Sequence, residues 1–180
     1  MTGIDALLWS SAAFLVHPSP PKSLTIHLDG DPWFRATPFV LTNPIVESGL
    51  LTCRATAEFL GLRRSRKSGR VVERTGKAED TDVVIEDLGF ARVPLTALGK
   101  KHPDWPTPMP RESIATVIDL ANRNVAHFTT AHPARRAARR VYVAAERLEW
   151  LVDEYVYRRN GLSVPDYKQW TRGLITPKES

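Results

Sequence analysis

"HPARRAARRVYVAAERLEWLVDEYVYRRNG", residues 132–161, decides the fold. Ala134, Ala138, Val141, Ala145, Leu148, Val152 and Tyr155 return at steps of four and three. That spacing lays apolar side chains along one face of an α-helix. Pro133 suits a first turn, where its missing N–H has no acceptor to lose. Asn160-Gly161 supplies a stop signal. A helix of about 27 residues is roughly 40 Å long. An apolar stripe of that length needs partners to cover it.

Two further stretches supply them. In "NPIVESGLLTCRATAEFLG" (43–61), Val46, Leu50, Cys53, Ala57 and Leu60 repeat at threes and fours. Asn43 is expected as the N-cap, Pro44 as the first helical residue and Gly61 as the terminator. In "PRESIATVIDLANRNVAHFTT" (110–130), the stripe runs through Ile114, Ile118, Ala121, Val125 and Phe128. A sharp break at His132-Pro133 folds this helix back on the next as an antiparallel pair. The expected fold is therefore mainly α, a small antiparallel helical bundle over residues 43–162.

The flanks read differently. Residues 1–42 form an N-terminal extension, partly irregular or β-containing. Its run "IDALLWSSAAFLV" (4–16) is too short to span a bilayer as a helix and lacks a basic lead, which argues against a signal peptide. "SLTIHLDGDPWFRATPFVL" (23–41) alternates and then carries Asp29-Gly30, a hairpin signal. Residues 63–81 are polar and highly charged, and read as a mobile basic loop. The segment 82–99 holds an apolar run and room for one helical turn. Residues 163–180 read as a tail. Trp33, Trp105 and Trp170 fall in irregular segments, where tryptophans commonly pin loops to a core.

Composition limits the function classes. A chain of 180 residues suits one domain with a real core. The net charge of +5 permits a polyanionic partner without demanding one. A single cysteine, Cys53, excludes a disulfide framework or a Cys-rich zinc site within one chain, and a reducing cytoplasm fits. Its apolar setting makes it a buried hydrophobe. No glycine-rich phosphate loop and no HExxH-type metal pair is present, so neither a cofactor nor a metal is expected.

Chemistry concentrates near the helix break. Leu120, Arg123, Asn124 and His127 share the side of their helix away from the core stripe, which suits a polar cleft or a subunit contact. A histidine moves protons near neutrality, and an arginine one turn away stabilises phosphate charge. Asp119 and Arg123, four apart, fit an ordinary helix ion pair. Two basic clusters add a surface for polyanions. Arg63, Arg64, Arg66, Lys67 and Arg70 occupy the loop. Arg135, Arg136, Arg139 and Arg140 crowd a helix start, which opposes the helix dipole and favours an anionic partner.

The helix "NPIVESGLLTCRATAEFLGL", the segment "DTDVVIEDLGF" and a helix carrying "ANRNVAHFTT" before a long amphipathic helix together resemble the HEPN superfamily of helical-bundle proteins, over roughly residues 43–160. The resemblance implies a cytoplasmic homodimer acting on RNA without metal, in a toxin or phage-defence setting. Arg123, Asn124 and His127 would be its catalytic residues. The match departs from the family at one point: three residues separate Arg123 from His127, one fewer than the family's shortest spacing. Two other readings stay open: a non-catalytic dimeric scaffold, and a small basic nucleic-acid-binding regulator working through the arginine clusters.

Overall fold

A computed structural model describes residues 23–36, 39–76, 82–99, 111–124 and 135–165. The described chain is mostly helical, with two short antiparallel hairpins. The first pairs β1 (Leu24–Leu28) with β2 (Asp31–Ala36). Its turn is the expected Asp29-Gly30, and both residues have positive φ, 52° and 93°. That pairing matches the right-handed strand twist. A register shift between Ile26 and His27 interrupts the ladder. Among the described side chains of this hairpin none belongs to the hydrophobic core. Trp33 is 69% exposed, so it does not pin a loop as the sequence suggests.

Helix α1 (Phe39–Phe59) starts four residues before the expected Asn43 cap and carries Pro44 inside it. The first four N–H groups of any helix lack an internal acceptor. Pro44 lies just beyond them and forfeits one bond, that to the Val40 carbonyl. The expected stripe is buried: Leu50, Cys53, Ala57 and Leu60 are closed off, and Val46 packs at the edge. Gly61 ends the helix with φ +83°. A Cβ there would be strained at this φ and would stand 3.3 Å from both Cγ and Cδ of Arg92, whose side chain would have to shift by a few tenths of an ångström.

The expected mobile loop begins instead with a hairpin. Strand β3 (Leu62–Arg64) pairs with β4 (Val71–Glu73), Leu62 opposite Glu73 and Arg64 opposite Val71. Its turn is closed by Gly69 N–H donating to the Ser65 carbonyl at 2.8 Å, while Ser65 Oγ accepts from Ser68 N–H. Leu62 and Val71 enter the core and anchor it. The segment 82–99 is then held across it. Val93 N–H donates to the Leu60 carbonyl and Leu95 N–H to Glu73 Oε1. Two 3-10 turns, Ile85–Leu88 and Leu95–Gly99, bring Ile85, Ala97 and Leu98 into the same core.

Helix α2 (Arg111–Asn124) packs against both α1 and α3 (Arg135–Val152), and also touches β3 and β4. Being covered on several sides, it buries more than one stripe: Ser113, Ala115 and Val117 join Ile114, Ile118 and Ala121. Leu120, assigned by sequence to a separate polar face, packs against the core. Helix α3 buries Val141, Ala145 and Leu148 as expected, with Ala144 and Leu151 beside them. It does not run unbroken to Asn160. A π-helical turn at Asp153–Tyr157 and a 3-10 turn at Arg158–Asn160 replace its end. The wider turn keeps Tyr155 inside, and Asn160 Nδ2 donates to the Tyr155 and Val156 carbonyls. Gly161 closes the element at φ +69°.

Candidate nucleic-acid interface

The lower face of α2 and the β3–β4 hairpin form two walls of an open cleft of about 490 Å³, and α3 contributes a third. Arg64 and Arg70 come from the hairpin, Arg111, Glu112, Thr116 and Asp119 from α2, and Arg140 from α3. The pieces meet for local reasons. Leu62 and Val71 bury one side of the hairpin and so hold its ends against α2. Glu112, Thr116 and Asp119 recur at steps of four and three, a polar line beside the buried stripe of α2. Arg140 sits one residue before the buried Val141 and is itself half-buried.

Four arginines face two carboxylates, leaving the lining at +2. One pair is direct: Arg64 Nη1 lies 3.3 Å from Asp119 Oδ1, each side chain about a quarter exposed. Arg64 reaches Asp119 by crossing the hairpin turn. Its Nη2 stands 3.3 Å from where a Cβ of Gly69 would be. Arg111 Nη2 donates to the Leu95 carbonyl at 3.2 Å. Arg70 is exposed at the rim.

The two sequence clusters thus divide. Arg64 and Arg140 converge in the cleft, whereas Arg63 points elsewhere and donates to Thr75 Oγ1 at 3.1 Å. Arg66 and Lys67 are exposed on the hairpin turn, and Arg139 is exposed on α3. Arg135 and Arg136 lie in the first turn of α3, and Arg123 and Asn124 end α2. The side chains of those four, and all of His127, lie outside the described residues. Asp119 pairs with Arg64, and the ion pair with Arg123 expected from sequence involves a side chain outside the described residues. Neither Arg111 in the cleft nor the Arg64–Asp119 pair was anticipated from sequence. The polar line on α2 was the available signal.

The lining suits binding. Guanidinium groups present fixed, always-charged N–H donors that match phosphate oxygens. They do not trade protons near neutrality. Cys53 offers no nucleophile: it is fully buried, and desolvation pushes its thiol up to about 12. Among the described residues, no group of three or more His, Cys, Asp or Glu side chains could hold a metal ion. Among them, too, no helix is long and apolar enough to cross a membrane.

The chain matches no protein-family model, and comparison with curated proteins and with solved structures finds no match.

Proposed function

We propose that the protein is a helical-bundle protein that binds RNA, with the basic cleft holding the phosphate backbone. One observation carries this reading: arginines from three segments far apart in sequence line a single cleft. Asp119 and Glu112 offset only half of that charge, so the gathered guanidiniums keep a residual repulsive cost. An anionic ligand removes that cost and releases counterions. The scaffold alternative uses a Leu120/His127 face, of which Leu120 is half-buried against the core and His127 lies outside the described residues.

The test is fluorescence anisotropy with a single-stranded RNA across a salt series. Binding is expected to weaken steeply with salt, by about 0.7 log units per log unit of salt for each phosphate contacted. Arg70→Ala with Arg140→Ala should weaken binding and flatten that slope, while Lys67→Ala should do little. Wild-type affinity in the double variant would remove the cleft from the reading. Cleavage, which the HEPN resemblance assigns to Arg123, Asn124 and His127, is a separate proposal. Purified wild type and His127→Ala are incubated with RNA in EDTA, and equal RNA survival rejects it.

A further inference from the structure

Arg64 is held differently from the other arginines of the cleft. Arg70 is exposed at the rim, and Arg111 gives Nη2 to the Leu95 carbonyl. Arg64 is bounded on two sides. Its Nη1 lies 3.3 Å from Asp119 Oδ1. Asp119 is itself secured: it has a further interaction besides Arg64, and its helix packs against α1, α3, β3 and β4. The other arm, Nη2, lies over Gly69, 3.3 Å from where a Cβ would stand. Gly69 is fixed in turn by its N–H, which donates to the Ser65 carbonyl at 2.8 Å. The stem of Arg64 leaves a strand anchored in the core through Leu62.

A long side chain spends rotamer freedom on every contact it makes, and one already held in place spends less. A guanidinium also carries five N–H donors in a planar fork. The pair with Asp119 engages Nη1, and the Arg64 side chain has no second hydrogen-bond or ion-pair partner among the described residues. We propose that Asp119 is a positioning residue: with the room left by Gly69, it orients Arg64 so that the remaining donors of its fork meet an RNA phosphate. This rests on the RNA-binding reading. Asp119 acts through Arg64 and touches no phosphate. The proposal fixes a sign. A carboxylate that acted by charge alone would weaken RNA binding, and its removal would tighten it. A carboxylate that acts by orienting Arg64 does the reverse, although its removal makes the cleft more positive.

The experiment is a double-mutant cycle read by RNA anisotropy, with Asp119→Ala, Arg64→Ala and the two combined. Arg64→Ala should weaken binding about tenfold, the worth of one charge-assisted hydrogen bond. Asp119→Ala should weaken it by about threefold or more in the presence of Arg64, and should not weaken it once Arg64 is gone. Asp119→Asn keeps an oxygen for the Arg64 N–H and should recover most of that loss. Arg64→Lys keeps the charge without the fork, and should bind about threefold or more weakly than wild type. Tighter or unchanged RNA binding in Asp119→Ala overturns the proposal, as does an equal loss with and without Arg64. Wild-type affinity in Arg64→Lys overturns it too, even where the alanine variants fail to fold. None of these results removes RNA binding from the cleft. A wild type that binds no RNA would instead sink the underlying reading, and this one with it.

Discussion

The β1–β2 hairpin has the longer strands and the better turn, and β3–β4 has three residues a side, yet the shorter one is integrated. Leu62 of β3 is 0% exposed, whereas Leu28 of β1 is 59% exposed. β3–β4 touches α1 and α2 and helps build the basic cleft. Among the described side chains of β1–β2, none belongs to the core. Local turn chemistry decides whether a hairpin can form; buried apolar contacts decide whether the rest of the protein depends on it.

The sharpest way to break this contrast is truncation. Leu62→Ala should cost about 2–5 kcal/mol of stability in chemical denaturation, since it opens a cavity in a closed core. Leu28→Ala should change stability by no more than about 0.5 kcal/mol. Equal losses would mean that the two hairpins are coupled to the core alike.

That contrast also marks what sequence could reveal. Asp29-Gly30 announces its turn through residue types that tolerate positive φ, so β1–β2 was legible. β3–β4 was not, because only Leu62, Val71 and Val72 are apolar in a run of charge. Its turn depends on a Ser65 side chain and on Gly69, and its pairing is secured by a core assembled from distant elements. The helix stripes were legible for the same reason that Leu120 was misread. Periodicity names the most buried face, but not how far burial spreads when a helix is covered on several sides, as α2 is. The arginines were visible as two clusters. Their partial convergence follows from the hairpin lying on α2, which no local pattern encodes.

A second pair of substitutions tests coupling through the backbone. Gly30 and Gly61 both adopt positive φ, +93° and +83°, so alanine is strained at either. Gly30 has open space around it, whereas an alanine at 61 meets the Arg92 stem. Gly61→Ala should cost about 1–3 kcal/mol in global unfolding. Gly30→Ala should loosen amide protection in β1–β2 and leave the unfolding midpoint in place, because local opening there need not unfold the core.

Charge reversal sharpens the comparison at the level of function. Arg35 of β2 and Arg70 beside β4 are both exposed. Only Arg70 lines the cleft. Arg70→Glu should weaken RNA binding by about tenfold, a few charge-assisted contacts' worth. Arg35→Glu should alter it much less at physiological salt, measured by the same anisotropy titration. If both substitutions weaken RNA alike, net charge and not the cleft governs binding.

The smallest expected effect is a pH dependence confined to the β3–β4 side. Burial alone would raise the Glu86 carboxyl, but the hydrogen bond from Arg92 and the charges of Arg92 and Arg74 outweigh it and hold the group below its ordinary 4.5. Arg74 Nη2 lies 3.3 Å from Glu86 Oε1, and Arg92 Nη1 donates to the Arg74 carbonyl at 2.8 Å. Glu86 thereby ties the segment after β4 to the chain crossing Gly61. A carboxyl depressed in the folded state adds stability that is fully present above its unfolded value and fades as pH falls from about 4.5 through the folded value. Glu86→Gln should therefore lower stability modestly at neutral pH and flatten the loss on the acid side. Hydrogen exchange at matched intrinsic rates supplies the local readout. In wild type, β3–β4 protection should fall with acid more than β1–β2 protection, and the substitution should remove that difference. If both hairpins lose protection in parallel and Glu86→Gln changes neither, the tie at Glu86 does not hold the second hairpin, and burial of Leu62 and Val71 alone does.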